Sequence, residues 1–166
     1  MDIALHPRII NIEPYLPKLK GLFQRPELSL AYLYGSYARG QAWTYSDVDI
    51  AVLFAEDIEA EDYLDYLLRY IGEVADILGF ENVDVKELNG APVEFQYQVI
   101  KGGQALYVRE EEERMHFEAE VMIEYLDFKP ILDEYYHHLA KRIKERRFSA
   151  RLPRYMAEVR ATLGRS

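Results

Sequence analysis

The chain has 166 residues, 49% of them apolar, a formal net charge of −9 and no cysteine. That size suits one compact domain with a real core. The lack of cysteine excludes disulfides and thiolate-bound zinc, which agrees with a reducing cytoplasm. Residues 1–140 hold 11 basic and 27 acidic side chains, whereas residues 141–166 hold 9 basic and 2 acidic. The acidic body would repel a polyanion, so no direct nucleic-acid binding is expected. Met1 to Pro7 lacks the basic and apolar blocks of a signal peptide. No apolar run nears the roughly 20 residues that cross a bilayer, so a soluble, cytoplasmic protein without a membrane partner is expected.

Residues 13–24 read as a first helix, with Leu16, Leu19, Leu22 and Phe23 on one side and Pro26 ending it. Leu28 to Tyr34 is a short apolar run stopped by Gly35, a buried strand. Residues 35–46 form a loop with a short helical turn, and Asp47 to Phe54 is the next strand, apolar except at its aspartates. Residues 61–78 repeat apolar groups at Leu64, Leu67, Leu68, Ile71, Ala75 and Leu78, an amphipathic helix with Gly79 just past its end. Val83 to Leu88 is a third strand, Pro92 opens a helix to about Lys101, and Ala105 to Val108 is a last strand.

From Glu110 onward the pattern is helical. Met115, Ala119, Met122 and Leu126 share a stripe, continued by Leu132, Tyr135, Tyr136, Leu139 and Ile143, with Pro130 expected to kink or split the run. Pro153 opens a final short helix. The organisation expected is a small α/β domain over residues 1–109 with a helical extension over 110–166, in one folding unit.

The chemistry-bearing segment runs from Leu33 to Ile50. Asp47 and Asp49 are separated by one residue at the start of a strand, so both carboxylates are expected to leave the same face. Two like charges so placed repel, shift one pKa upward and cost stability unless a cation offsets them. Arg39 is the only basic residue within 19 positions of Asp49. A divalent metal is the better compensator, and an oxygen-only ligand set favours Mg²⁺ or Mn²⁺ over zinc. After the first strand, Gly35 permits close approach of backbone to a ligand. The Ser36 hydroxyl and nearby amides suit a phosphate, to which Arg39 can add a charge-assisted bond.

Gly35-Ser36, ten intervening residues and Asp47-Val48-Asp49 resemble the G-S-x(10)-D-x-D signature of the polymerase-β-like nucleotidyltransferases. The fuller string G-S-Y-A-R-G…S-D-V-D-I-A-V looks like the minimal nucleotidyltransferase group, the antitoxins paired with HEPN-domain ribonuclease toxins. The resemblance is strong over residues 30–54. Over 80–109, V-D-V-K-E-L-N and L-Y-V resemble the family's third carboxylate strand, and over 110–166 only the helical pattern is shared. It implies a polymerase-β-like α/β fold, a small mixed sheet flanked by helices, with the C-terminal helical extension. It implies two Mg²⁺ ions held by Asp47, Asp49 and Asp84, with Glu87 as the fallback for Asp84. Gly35, Ser36 and Arg39 would hold the triphosphate of ATP. The implied reaction is transfer of AMP to a tyrosine of the HEPN toxin. From the tyrosines and basic residues that set the 110–166 arm apart from the acidic body, the toxin is expected to dock near that arm, and charge swaps at Arg146, Arg147 and Arg151 should weaken the complex.

Two other readings stay open. One is a small-molecule nucleotidyltransferase of the aminoglycoside-modifying kind, for which the helical arm is lean. The other is a catalytically idle toxin-binding module, which has no use for a Gly-Ser turn and three carboxylates. His6, His116, His137 and His138 show no metal-ligand spacing. The spacing of Arg109 and His116 approaches that of HEPN nucleases, but Glu110 to Glu113 lie between them and would repel an RNA phosphate.

Overall fold

The computed structural model describes residues 9–144. His6, the basic residues Arg146, Arg147 and Arg151 and the helix expected from Pro153 lie outside them. The chain divides into two compact units, residues 1–125 and 126–166.

In the first unit a 3-10 turn (Glu13–Tyr15) leads into helix α1 (Leu16–Leu22), then strand β1 (Leu28–Tyr34) and the one-turn helix α2 (Gly35–Ala38). Strand β2 (Val48–Phe54), helix α3 (Tyr63–Leu78), strand β3 (Val83–Glu87), helix α4 (Val93–Gly102), strand β4 (Gln104–Val108) and the start of helix α5 (Glu111–Lys144) follow. The four strands form one mixed sheet in the order β3-β2-β1-β4. β1 pairs antiparallel with β2 and with β4, while β2 and β3 are parallel. The parallel pair is connected through α3, as a crossover between parallel strands requires. The run expected to be a strand from Asp47 starts one residue later, so Asp47 stands just before β2.

Strand alternation divides the core into two layers. On one face Ala31, Leu33, Ile50, Val52, Phe54, Val85 and Leu106 pack with Leu16, Leu19 and Phe23 of the α1 segment and with α3. On the other face Leu30, Tyr32, Ala51 and Leu88 pack with Val99 of α4, backed by Tyr34, Phe95 and Phe117. Each fully buried large side chain of this kind contributes about 1.5–3 kcal/mol.

Two helix faces differ from the apolar stripes read in the sequence. In α3 the buried residues are Leu67, Tyr70, Val74 and Leu78, whereas Leu64 and Leu68 are 63% and 59% exposed. Tyr70 turns inward because its hydroxyl donates to Glu27 at 2.9 Å, and its ring packs on Phe23. That pairing lets a polar-tipped residue outcompete two leucines for the core. In α5, Met115 and Met122 of the expected stripe are exposed. Contact is made instead by half-buried Phe117, by Glu118, which accepts from the Tyr32 hydroxyl at 2.8 Å, by buried Val121, and by Tyr125, stacked on Tyr97. This stripe mixes apolar and polar members, so hydrophobic periodicity alone does not mark it.

In the second unit the described residues 126–144 are helical throughout, and Pro130 does not split the helix. Proline removes one backbone hydrogen bond, and on an exposed helix water can take up the carbonyl it leaves. Leu126, Tyr135, Tyr136 and Ile143 of the expected stripe are exposed here, while Leu132 and Leu139 are half-buried. Lys129 pairs with Asp133 and His138 with Glu134, one helical turn apart in each case.

Candidate active site

The site forms where β1 turns into α2, beside the ends of β2 and β3. Gly35 opens α2 with a φ of +72°, a left-handed conformation that side chains rarely adopt. Its missing side chain also makes room for Asp49. A Cβ at this position would collide with Oδ2 of Asp49 and lie 3.0 Å from its Cγ. The glycine therefore has two separate reasons to be there, its backbone conformation and the carboxylate seated against it.

Asp49 lies within β2 and faces Tyr34 of β1 on one side and Asp84 of β3 on the other. Residues directly opposite in paired strands project to the same face, so Tyr34, Asp49 and Asp84 form one row across the sheet. Asp47 precedes β2, is exposed, and stands close enough for its charge to act on Asp49. Partial burial pushes the Asp49 carboxyl above its ordinary value. The charges of Asp84 and Asp47 push it further, and Lys86 and Arg39 oppose the rise. Burial likewise pushes the Tyr34 phenol up to about 12, with Asp49 and Asp84 adding to the rise.

Lys86 places a cation on this face. Its Nζ sits 2.8 Å from Oδ2 of Asp84. In the sequence Arg39 is the only nearby base, but strand pairing brings in Lys86 from 37 residues beyond Asp49. The signal was present: Lys86 is two residues after Asp84, the same spacing that joins Asp47 to Asp49. Alternation places Glu87 with buried Val85, on the face opposite Asp84.

A cleft of about 430 Å³ opens beside the row, lined by Tyr34, Gly35, Arg39, Pro92, Glu94, Phe95 and Gln98. That volume lies within the usual range for a small-molecule pocket. Arg39 ends α2 and is exposed at the cleft, and Ser36 is half-buried in the same turn. Tyr34 and Phe95 meet edge to face, 5.5 Å between centroids. Neither aromatic was a candidate from sequence, because only the docking of α4 brings Phe95 to β1.

The structure thus brings together Gly35, Asp49 and Asp84, with Asp47 and Arg39 at the margin. Among the described residues, no three His, Asp or Glu groups stand close enough together to hold a metal ion. The donor set nevertheless suits a hard divalent cation. It is all oxygen, it carries excess negative charge, and the charged form of Asp49 is disfavoured as it stands. Elsewhere on the chain, Arg109 is engaged by Glu113 at 2.6 Å and exposed His116 by Glu120 at 3.1 Å.

A mixed four-stranded sheet with a glycine turn pressed on an aspartate, a second aspartate in register and an adjoining cleft defines the nucleotidyltransferase class of fold. The family described as polymerase beta, nucleotidyltransferase, matches residues 17–112, more than half of the chain, and the chain belongs to that family. It is 34% identical over 93 residues to the protein adenylyltransferase MntA of Shewanella oneidensis. That match covers 54% of this chain and 61% of MntA, less than two thirds of the relative's length. A chain of a toxin–antitoxin crystal structure with AMP-PNP superposes with a TM-score of 0.56 at 27% identity, covering 74% of this chain and 97% of that one. A chain from the complex of tri-AMPylated Shewanella oneidensis HEPN toxin with MNT antitoxin gives a TM-score of 0.56 at 24% identity. It covers 75% of this chain and 98% of its own, and speaks to the fold alone. Among the described residues, no helix is long and apolar enough to cross a membrane.

Proposed function

We propose that this chain is the antitoxin of a type VII HEPN/MNT toxin–antitoxin pair. In this reading it works in the cytoplasm as an adenylyltransferase that moves AMP from ATP to a tyrosine of a HEPN ribonuclease toxin. The observation that carries the reading is the in-register pairing of Asp49 with Asp84 on parallel strands, with Gly35 seated against the Asp49 carboxylate. Membership in the nucleotidyltransferase family supports the reaction class. The likeness to MntA, a protein adenylyltransferase, and to a toxin–antitoxin structure with AMP-PNP supports the nucleotide and a protein acceptor.

The triphosphate lies against the Gly35–Ala38 turn, where the Ser36 hydroxyl and backbone amides hold its oxygens and Arg39 adds a charge. Asp47, Asp49 and Asp84 would hold Mg²⁺, two ions in all, which when bound would lower the pKa of the acceptor hydroxyl and neutralise the departing phosphates. Asp84 lies at the β3 edge and receives the acceptor proton. The tyrosine oxygen bonds to the α-phosphorus as the bridging bond to the β-phosphate breaks, and pyrophosphate leaves. Tyr34 stays neutral beside the row, since its phenol is pushed up to about 12.

Mass spectrometry of the toxin after incubation with ATP and Mg²⁺ tests the reaction, which should add AMP to a tyrosine. The double variant Asp47→Asn, Asp49→Asn should lower the rate by about 100-fold or more. If that variant neutralises the toxin fully and no AMP is ever added, the chain is a binding module. AMP appearing on an aminoglycoside and never on the toxin moves it to the small-molecule enzymes.

A further inference from the structure

Lys86 and Asp84 leave the same face of β3, which is an edge strand of the sheet. The Lys86 ammonium touches Asp84 at 2.8 Å, and its charge also acts on Asp49 and on the Tyr34 phenol. It lies 6.0 Å from the ring centroid of Phe95. Tyr34 and Phe95 both line the cleft. The ammonium therefore pairs with the third carboxylate while lying near an aromatic ring of the cleft wall.

The Asp84 carboxylate is turned onto Lys86, and a cation already neutralises part of the row. A second positive charge at Asp84 has to work against that ammonium. The side chains of Lys86 and Asp84 are 52% and 40% exposed, so the pair is screened by solvent and readily broken. A phosphate in the adjoining cleft offers the ammonium a new partner within reach of its flexible stem.

We propose that Lys86 is a positioning residue that occupies Asp84 in the nucleotide-free protein, so that a divalent ion binds there weakly until phosphate in the cleft draws the ammonium away. Loading of metal and nucleotide would then be coupled: each makes room for the other, with the same factor in both directions. The proposal rests on the nucleotidyltransferase reading for the phosphate but not for the competition at Asp84. The plain alternative is that Lys86 only blunts an edge strand against aggregation, as edge lysines do, and pairs with Asp84 by the way.

Mn²⁺ binding to the full chain, followed by the electron paramagnetic resonance of free Mn²⁺, separates the two. Without nucleotide, Lys86→Met should bind Mn²⁺ about fivefold more tightly than wild type, the size expected for loss of an exposed ion pair. Lys86→Arg, which keeps the charge, should stay within about twofold. Adding AMP-PNP, after correction for the Mn²⁺ that the nucleotide chelates without protein, should strengthen Mn²⁺ binding to wild type more than to Lys86→Met, so that the gap closes. In an Asp84→Asn background the Lys86 change should no longer matter. Equal or weaker Mn²⁺ binding by a Lys86→Met protein with a wild-type melting transition would overturn the proposal. If wild type binds Mn²⁺ but not AMP-PNP, the functional reading fails, while the nucleotide-free comparison still decides whether Lys86 competes at Asp84.

Discussion

The two faces of the sheet obey opposite rules. The face under α1 and α3 is sealed: Leu33, Val48, Ile50 and Val52 are almost inaccessible and pack in one apolar and aromatic cluster. The other face starts in the same way, with Leu30, Tyr32 and Ala51 beneath α4, but ends in a row of titratable groups, Tyr34, Asp49, Asp84 and Lys86. One strand serves both, since alternate residues of β2 enter the two layers. The comparison teaches that stability and chemistry are divided by strand parity: residues two apart share a task and adjacent residues do not.

The sharpest way to test this division is to damage one face and read the other. Ile50→Ala, on the sealed face next to Asp49, should cost about 2–5 kcal/mol of stability through lost burial and the cavity left behind. Denaturant unfolding measures it. Mn²⁺ affinity of the folded fraction should change little, and a large loss would mean that the two layers are not independent. Gly35→Ala should have a smaller effect on stability, about 1–3 kcal/mol, from a strained positive φ and a collision with the Asp49 carboxylate. The same change should abolish measurable AMP-PNP binding, because the displaced carboxylate and the cleft wall belong to the open face. Isothermal titration beside the melt separates the two losses.

The smallest effect runs the other way. Asp49 has its pKa raised in the folded protein by burial and then by Asp84 and Asp47. The folded state therefore binds more protons than the unfolded one across the acid range between the two values. Stability of the metal-free protein should fall as pH rises from the ordinary carboxylate value through the raised one, and the penalty should persist at neutral pH. Asp49→Asn should melt slightly above wild type at pH 7 in chelator, and the advantage should vanish as pH is lowered through that range. A lower melting point for the variant at pH 7 would show that the open face, too, is built for stability.

The sequence makes the sites with local signals legible. Leu28 to Tyr34 reads as a strand because it is a closed apolar run stopped by glycine, and it folds with those ends. Gly79 reads as a helix stop and caps α3 in the left-handed conformation. Gly35, Asp47 and Asp49 stand out because their spacing has one geometric meaning in a strand and turn. Where the reading of α3 and α5 differed, hydrophobicity competed with specific pairing. Leu64 and Leu68 lost the core to Tyr70 and Val74, and Met115 and Met122 lost the contact to Phe117, Glu118, Val121 and Tyr125. Periodicity counts apolar residues and is blind to a tyrosine that brings its own carboxylate partner.

Parity of a strand depends on nothing beyond adjacent residues, so the sequence alone determined that Asp49 leaves β2 on the side opposite Val48 and Ile50. Which charges it meets is a matter of strand pairing. Asp84, Lys86 and Tyr34 come from separate strands, and Phe95 from a helix laid over them. No local period encodes a meeting of residues 35 positions apart, so only the tertiary structure decided that a lysine would share the row with the aspartates.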